Sequence, residues 1–310
     1  MTDVATTAIA VEAPARRKRR IPYAAIIGTL PMIIVSFSVF FVAIIFVVIW
    51  SFTNSGMFPG FNFVGLAQYT RLWSTSLWQV AVNNIWFFGV MSLCVNLVFG
   101  FLLAVFMDQN IKHESVFRTI FLYPFSMSLG VTGLAWQWIL DPNLGLQESI
   151  RNLGWTDFAL APLVHRETAI YGLVVAGIWQ GSGVTMAIML AGLRGVDQEV
   201  WKAAKIDGIP TWRTYLFIVI PMMRGALGTV LLLQLTGIVR TFDLVYAMTS
   251  GGPGIATQMP AMYVISFITV RLNVGQGMAA ATMLLLPIAL ILIIRAIVTT
   301  VQARRRGINA

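Results

Sequence analysis

Long uncharged stretches dominate the chain. A charge-free run of about 20 residues is long enough to cross a hydrocarbon core of roughly 30 Å as a helix. Five runs reach this length without interruption, and a sixth carries Arg240 and Asp243 near its end. The pattern predicts an all-α polytopic membrane protein whose spans cover about 24–50, 83–107, 119–140, 168–193, 225–249 and 272–294.

A seventh apolar segment, 254–270, contains Pro260 and several polar groups. Basic residues favour the cytoplasmic ends of membrane helices. Six spans place both basic clusters, at 16–20 and 304–306, inside with most of the other Lys and Arg residues, whereas a seventh span would put the terminal cluster outside. We therefore predict six transmembrane helices with both termini cytoplasmic, and a short interfacial or re-entrant helix at 254–270 on the outer surface.

Composition agrees with lipid exposure. Of the 310 residues, 58% are hydrophobic and 11% are charged, whereas a soluble domain carries about 25% charged residues. The net charge of +9 comes largely from clusters that flank apolar runs, so no nucleic-acid partner is predicted. The first span is too long for a signal-peptide core. The predicted organisation is a basic tail at 1–23, a six-helix membrane domain at 24–300 and a basic tail at 301–310, in the cell inner membrane.

Reactive side chains are sparse. The one cysteine, Cys94, lies in an apolar run, which predicts a packing role and excludes a disulfide within the chain. His113 and His165 lie far apart, and no nucleophile is accompanied by a base. The sequence predicts no catalytic, cofactor-binding or metal site.

The loop at 195–221 has a pattern of its own. Asp197 can cap a short helix over 198–207, Gly208 can end it in the left-handed conformation, and Pro210 prevents it from continuing. A second helical stretch is predicted over 212–219, after which Pro221 opens the fifth span. The prediction is a compact helix–turn–helix at the cytoplasmic membrane surface.

The first helix of this loop suits docking into a groove. Ala203 and Ala204 would let a partner's backbone approach closely, while Lys202, Lys205 and Asp207 would set the register. The alternative from the residues alone is an ordinary amphipathic interfacial helix.

A family resemblance bears on this choice. The string KAAKIDG at 202–208, then nine residues, then IVIP at 218–221, resembles the EAA loop of the permeases of binding-protein-dependent ABC importers. Ala203, Ala204, Gly208, Ile218 and Pro221 fall in register with the family pattern. Lys202 replaces the family's leading Glu and Ile220 replaces a usual Leu; Glu199, three residues before Lys202 on the same helical face, could supply the acid.

A second stretch narrows the resemblance. TFDLVYAMTSGGPGIAT at 241–257 resembles the end of the fifth span in the maltose and glycerol-3-phosphate type of sugar permease. Physically, the glycines and Pro253 predict a helix stop and tight turn at the outer surface.

The resemblance implies the type I ABC importer permease fold and a set of partners. These are a second permease subunit, an ATPase dimer, an extracytoplasmic solute-binding protein and membrane lipid. No GxxxxGK[ST] loop occurs in this chain, so ATP and Mg would belong to the ATPase subunits, and the chain itself is not an enzyme. The residues expected to couple to the ATPase are Glu199, Lys202, Ala203, Ala204, Asp207, Gly208, Ile218 and Pro221.

Polar groups within spans are candidates for the substrate path, because they are costly in lipid and face protein or water. These candidates are Asn96, Gln180, Gln234, Arg240, Asp243 and Tyr246, with Asn83, Asn84, Trp179 and Phe242 as further neighbours. Arg240 and Asp243, three apart on one predicted helical face, could instead neutralise each other, and the uncharged members could join helices.

An uncharged sugar or polyol is the cargo that this inventory fits most easily, since the spans carry one base and one acid. Two alternatives remain open: the same architecture importing an amino acid, polyamine or phosphate, and a secondary transporter that needs no ATPase.

Overall fold

The computed structural model describes residues 23–58, 60–109 and 111–308. Within them the regular structure is helical, apart from an isolated antiparallel bridge between Thr53 and Phe63. The basic cluster at 16–20 lies outside the described residues. The cluster at 304–306 lies at the end of a helix whose side chains there are not described. In chain order the helices are α1 (Tyr23–Phe37), a π turn (Ser38–Val42), α2 (Ala43–Trp50), α3 (Ala67–Ser74), α4 (Ser76–Met107), α5 (Glu114–Ser126), α6 (Leu129–Ile139), α7 (Leu146–Asn152), α8 (Ala169–Arg194), α9 (Gln198–Ile206), α10 (Thr211–Arg213), a π turn (Thr214–Val219), α11 (Ile220–Met222), α12 (Arg224–Val239), α13 (Phe242–Thr249), α14 (Pro260–Ile265), a π turn (Ser266–Val270) and α15 (Val274–Ile308).

The chain divides into two compact units, Met1–Phe46 and Val47–Ala310. In the first unit, α1 and its π turn carry exposed apolar side chains, including Met32 and Phe40. A helix that is apolar on all sides has the composition of one that faces lipid or another subunit.

Helix α8 is the centre of the second unit, and glycines let its neighbours approach it. A Cβ on Gly100 of α4 would lie 2.8 Å from the Cβ of Thr185, and one on Gly192 would lie 2.7 Å from that of Ala226 in α12. At Gly183 an added Cβ would collide with the backbone carbonyl of Phe121 in α5. Lipid tails are as apolar as the helices, so the hydrophobic effect does not drive helix association in a membrane. Close backbone contact of this kind contributes to the packing instead.

Two apolar clusters lie at the two ends of α4 and α8. One includes Phe88, Leu173 and Leu244. The other includes Ala104, Met189 and Val219 and lies next to the loop that bears α9. We call the ends of the second unit the far end and the loop end accordingly. The polar residues of α4 and α8 that line a cavity come between these clusters.

The predicted third and fifth spans are not continuous helices. Helices α5 and α6 meet at 101°, with Met127 and Ser128 between them. The segment predicted as the fifth span is α12 followed by α13, with a break at Arg240 and Thr241. Helix α4 begins at Ser76, seven residues before the predicted start of the second span.

Three helices among the described residues are long and apolar enough to cross a membrane: Gly28–Trp50, Ser76–Met107 and Ala169–Arg194. Counting each of two bent pairs as one span raises the number to five. The apolar stretches Pro260–Val270 and Val274–Pro287 are shorter. A total of six spans therefore stays a prediction.

The segment predicted as a short surface helix, 254–270, contains α14 and the following π turn. Tyr263 in α14 is buried, packs edge-on against Trp78 of α4 with ring centroids 5.2 Å apart, and accepts a hydrogen bond from Gln276 of α15. The helix is therefore packed against α4 and α15 and does not form an isolated surface element.

Candidate functional site

Helix α9 has local signals at both ends. The Asp197 carboxylate accepts a hydrogen bond from the backbone N–H of Glu199 at 2.9 Å, which satisfies one of the free donors at the helix start. Gly208 has φ of +67°, and the N–H of Ile209 donates to the carbonyl of Ala204 at 3.0 Å. The predicted cap, stop and helix are thus present, with α9 ending at Ile206 and Asp207 as its C-cap.

The two alanines of the motif differ in exposure. Ala204 is 4% exposed and packs within the chain, whereas Ala203 is exposed. The prediction that both alanines admit a partner's backbone is therefore wrong for Ala204, because that face of α9 is taken up by the chain's own packing. Glu199, Lys202 and Asp207 are exposed, as a docking face requires.

Ile206 is the member of this face that sequence reasoning missed. Its side chain is 86% exposed, on a short helix whose other exposed side chains are polar or small. Burying such a side chain at an interface is worth about 1.5–3 kcal/mol. An isolated apolar residue among charged ones was the available signal.

An aromatic chain fastens α9 to α4. The Trp201 ring packs edge-on against Tyr215 at 5.1 Å, and Tyr215 packs edge-on against Phe101 at 6.0 Å between centroids. Because Tyr215 belongs to the second stretch of the loop, both parts of the loop and a long helix are joined. A displacement of α9 would therefore reach α4 through packed side chains.

A second fastening is electrostatic, and the sequence analysis did not identify it. The Arg194 guanidinium, at the end of α8, lies 3.4 Å from the carboxylate of Asp108 and 3.0 Å from that of Glu114. Arg118 also pairs with Glu114. Glu114 lies before the apolar segment that starts at 119. Its hydrogen bond from Arg194 lowers the pKa of the Glu114 carboxyl below the ordinary value, although desolvation acts in the opposite direction. The α4–α5 turn is thereby joined to the residue that precedes the loop.

The end of the motif differs from the prediction. Ile218 is partly buried in the π turn, and Pro221 is exposed inside α11. The helical stretch Thr211–Met222 is followed at Met223 by a bend of 76° into Arg224–Val239. Pro221 therefore does not directly begin the long helix Arg224–Val239; it lies in the first turn of α11, where its missing N–H is tolerated, and the bend separates it from that helix.

A cavity of about 840 Å³ brings together five of the six predicted substrate-path residues. These are Asn96 of α4, Gln180 of α8, Gln234 of α12, and Arg240 and Asp243 beside the break between α12 and α13. Tyr246 is not part of the lining; it is exposed and stacks on Phe242 with ring centroids 5.4 Å apart.

The cavity wall has hydrogen-bonding groups without partners. Asn96 is 1% exposed, yet its Oδ1 has no hydrogen-bond partner, and the same holds for the Oγ of buried Ser92 one turn away. A Cβ on Gly181 would lie 3.1–3.3 Å from the amides of Asn96 and Gln234, so this glycine leaves room for both amides against α8. Buried polar atoms are normally paired, so these two unpaired oxygens beneath the cavity wall are exceptions to that rule.

The two cavity glutamines already have partners. Gln234 donates to the Oγ1 of Thr185 at 2.8 Å, and Gln180 donates to the carbonyl of Met127 at 3.0 Å. Both amides thus join helices, as the alternative interpretation of the uncharged candidates predicts.

Arg240 and Asp243 do not neutralise each other. Among the described residues, the ion pairs within 4 Å involve neither of them. The helix breaks between them, with Arg240 capping α12 and Asp243 in the first turn of α13, so they do not share the continuous helical face that was predicted.

At the far end, Asn84 has a structural role. Its amide donates to the carbonyls of Ala256 and Gln258 at 2.8 and 2.9 Å, which ties the glycine-rich turn after α13 to α4. The hydroxyls of Thr249 and Thr257 lie 2.7 Å apart across the same turn. Asn83, in contrast, is exposed, and so is Cys94, which therefore does not pack in the interior of this chain.

Comparisons with known proteins agree with this arrangement. A probable ABC transporter permease protein of Pyrococcus horikoshii is 33% identical over 273 residues, which cover 87% of this chain and 93% of the relative. The osmoprotective compounds uptake permease protein GgtC of Synechocystis is 30% identical over 75% of this chain and 84% of its own length. The xylose/arabinose import permease protein XacH of Haloferax volcanii is 30% identical over 61% of this chain and 60% of its own length.

The fold has solved relatives, although no family model matches the sequence. A chain of a bacterial ABC transporter involved in the import of the acidic polysaccharide alginate superposes with a TM-score of 0.74, at 16% identity, over 89% of this chain and 94% of that chain. The length and identity of the sequence matches, together with the motif on α9, lead to one conclusion: this chain belongs to the ABC transporter permeases, integral membrane proteins.

Proposed function

We propose that this permease forms half of the translocation path of an ATP-driven, binding-protein-dependent importer of a sugar or polyol. A second permease subunit would form the other half, and an ATPase dimer carrying ATP and Mg would bind below. An extracytoplasmic binding protein would deliver the cargo. The matching alginate transporter has been solved in complex with a cargo-bound periplasmic protein, which supports such a partner.

The proposed membrane arrangement has six spans in the cell inner membrane, with both termini and the loop end in the cytoplasm. Positive charge on the α4–α5 turn and the loop, at Lys112, Arg118, Lys202 and Lys205, supports this orientation. Closure of the ATPases would push α9, and the aromatic chain through Tyr215 would carry that motion to α4. Alternating access then follows from movement of packed helices around the cavity.

The unpartnered Oδ1 of Asn96 on the cavity wall carries the choice of cargo. With the Oγ of Ser92 it would accept hydrogen bonds from hydroxyl groups once these buried side chains turn toward the cavity, while Phe88 and Phe125 supply apolar wall. One base and one acid leave the charged lining neutral. A neutral polyhydroxylated molecule can hydrogen-bond these groups without adding a charge, whereas phosphate would bring negative charge near Asp243 and a polyamine would bring positive charge near Arg240.

The relatives support the same class. One imports xylose and arabinose by its name, and another takes up osmoprotective compounds. These are activities of those proteins, and they guide the choice of compounds to test here.

A second cargo class is favoured by the charged pair. Arg240 and Asp243 both line the cavity and neither is ion-paired, so they could hold the carboxylate and ammonium of a zwitterion such as an amino acid. In that case Arg240→Gln and Asp243→Asn would each abolish uptake, whereas a sugar would tolerate them better than the loss of Asn96.

The test is uptake by proteoliposomes that contain this chain with its ATPase, second permease and binding protein. Radiolabelled xylose, maltose, glycerol and glycine would be offered separately. Asn96→Leu, which keeps the side-chain size but loses both hydrogen-bonding groups, should raise the half-saturating sugar concentration about tenfold, since one hydrogen bond is worth about 1–1.5 kcal/mol.

Asn83→Leu is the matched control, because Asn83 lies on the same helix and is exposed away from the cavity. Its uptake should equal that of the unchanged protein. Equal uptake by both variants would contradict the assignment of the cavity, and transport without any co-purifying ATPase would favour a secondary transporter.

A further inference from the structure

The break between α5 and α6 leaves backbone groups that need partners. A helix end inside a membrane cannot rely on water, so its free N–H and carbonyl groups must be paired within the protein. The Oγ of Ser128 accepts from the N–H of Val131 at 3.2 Å and caps α6. The carbonyl of Met127, in extended conformation, accepts from the Nε2 of Gln180 on α8 at 3.0 Å.

The two halves on either side of this break are held by different neighbours. Helix α5 lies against α8, where Gly183 admits the backbone of Phe121. Helix α6 lies against α13, where a Cβ on Gly133 would be 2.6 Å from the Cβ of Ala247. The angle at the break therefore decides how the α6–α13 pair is placed relative to α8.

Gln180 lies where this angle affects the cavity. Gln180 is 8% exposed and lines the wall, as do Met127 in the break and Leu129 at the start of α6. Its amide reaches from the helix that holds α5 to the residue that precedes α6. Loss of this bond would leave the partly buried carbonyl of Met127 without its protein partner, which favours rearrangement of the break.

We propose that Gln180 is a positioning residue that sets the angle between α5 and α6 and thereby the shape of the cavity. This role differs from the cargo contact expected of it from sequence. It rests on the proposed function in treating the cavity as a transport path, but its test needs no cargo.

The experiment measures the distance between two spin labels on the assembled transporter in lipid nanodiscs. Val116→Cys in α5 and Trp138→Cys in α6 are exposed positions on the two halves. Cys94→Ser removes the chain's one natural cysteine, so on this chain the labels attach at the chosen sites alone; the partner subunits would be used in cysteine-free form. The unchanged Gln180 protein should give one narrow distance distribution.

Gln180→Met keeps the side-chain length and removes the donor, so the distribution should shift or broaden. Gln180→Glu places a carboxylate against the Met127 carbonyl and should shift it further. Gln234→Met is the matched control: this glutamine also lines the cavity and donates a bond, but to Thr185, which is not at the break. It should leave the distance unchanged.

The proposal is overturned if the Gln180 variants keep the original distribution or if Gln234→Met changes it equally. Should Gln180→Met fail to assemble, Gln180→Asn retains the amide on a side chain one methylene shorter and serves the same comparison. Unchanged distances in a transporting complex would count against the positioning role alone. Shifted distances in a complex that never transports would count against the proposed function alone.

Discussion

The α9 loop and the cavity differ in how their residues come together. Asp197, Gly208 and the exposed face of α9 lie within a dozen residues, and their geometry follows from caps that act locally. The cavity instead draws on α4, α8, α12 and the α12–α13 break, from Phe88 to Leu244. A contiguous site can be identified from its motif, whereas an assembled site depends on which helices break and which glycines permit contact.

If the two sites are separable, removing one should leave the other in place. Deletion of 203–208 takes away the exposed face of α9 and should abolish co-purification of the ATPase, while membrane insertion persists. Affinity purification followed by detection of the ATPase measures this outcome. Continued cargo transport by the deletion protein would contradict the coupling role of the loop.

A single side chain should account for much of this contact. Ile206→Glu replaces an apolar group that is 86% exposed in the chain, so folding should be unaffected. Loss of about 1.5–3 kcal/mol of apolar burial at the interface predicts roughly 10–100-fold weaker ATPase binding.

Surface plasmon resonance on the reconstituted permease would measure the Ile206→Glu effect. Leu153→Glu, at another exposed apolar position in the α7–α8 connection, serves as the control. Equal losses in both variants would mean that Ile206 is not a docking residue.

For the cavity, Gly181→Ala should reduce cargo transport while ATPase binding stays normal. The added methyl lies 3.1–3.3 Å from the Asn96 and Gln234 amides and must displace them; overpacking of this kind costs about 1–3 kcal/mol. The expected result is about a tenfold fall in transport at limiting cargo, measured by proteoliposome uptake.

Gly237→Ala is the matched control, because Gly237 lines the same cavity but has open space around a new Cβ. Uptake by this variant should be close to normal. If Gly181→Ala transports as well as Gly237→Ala, the close amide approach has no bearing on cargo.

The smallest effect concerns the ionic fastening at Arg194. The pKa of Glu114 is lowered in the folded protein, chiefly by its hydrogen bond to Arg194. A lowered pKa means stabilisation that is complete above the ordinary value of 4.5 and is lost as pH falls through the folded-state pKa. The melting temperature of Glu114→Gln should therefore fall slightly below that of the unchanged protein at pH 7, and the gap should close on acidification.

Differential scanning fluorimetry in detergent between pH 7 and pH 3.5 would measure this gap. Glu148→Gln, a carboxylate in α7 without an ion pair among the described residues, should show no such convergence. A gap that persists at low pH would show that Glu114 acts through packing rather than charge.

Sequence reasoning reached further in the loop than in the cavity. The cap at Asp197, the stop at Gly208 and the helix between them follow from backbone chemistry within a few residues. Ala204 was assigned to the wrong side, because facing depends on what packs beneath α9. Ile206 was missed because the local sequence does not show that its side chain is exposed. Arg194 was missed because its partners lie on the α4–α5 turn, whose position depends on the tertiary structure.

Among the cavity candidates, residue type was informative and arrangement was not. Polar groups in apolar runs pointed to Asn96, Gln180 and Gln234, and all three meet at one wall. Arg240 and Asp243 were expected on one helical face, but the chain breaks between them. Tyr246 lies just beyond that break and is directed away from the lining.

The sequence by itself determined the class of protein: uncharged runs that demand lipid, and a spaced motif that indicates a permease. It also determined α9, because caps and turn residues act over one or two helical turns. Only the tertiary structure decided that α5–α6 and α12–α13 bend, which amides pair, and that Asn96 and Ser92 face a cavity unpartnered. Those outcomes depend on contacts between helices that are far apart in the chain. Gly183 of α8, for example, matters because the backbone of Phe121 in α5 packs against it.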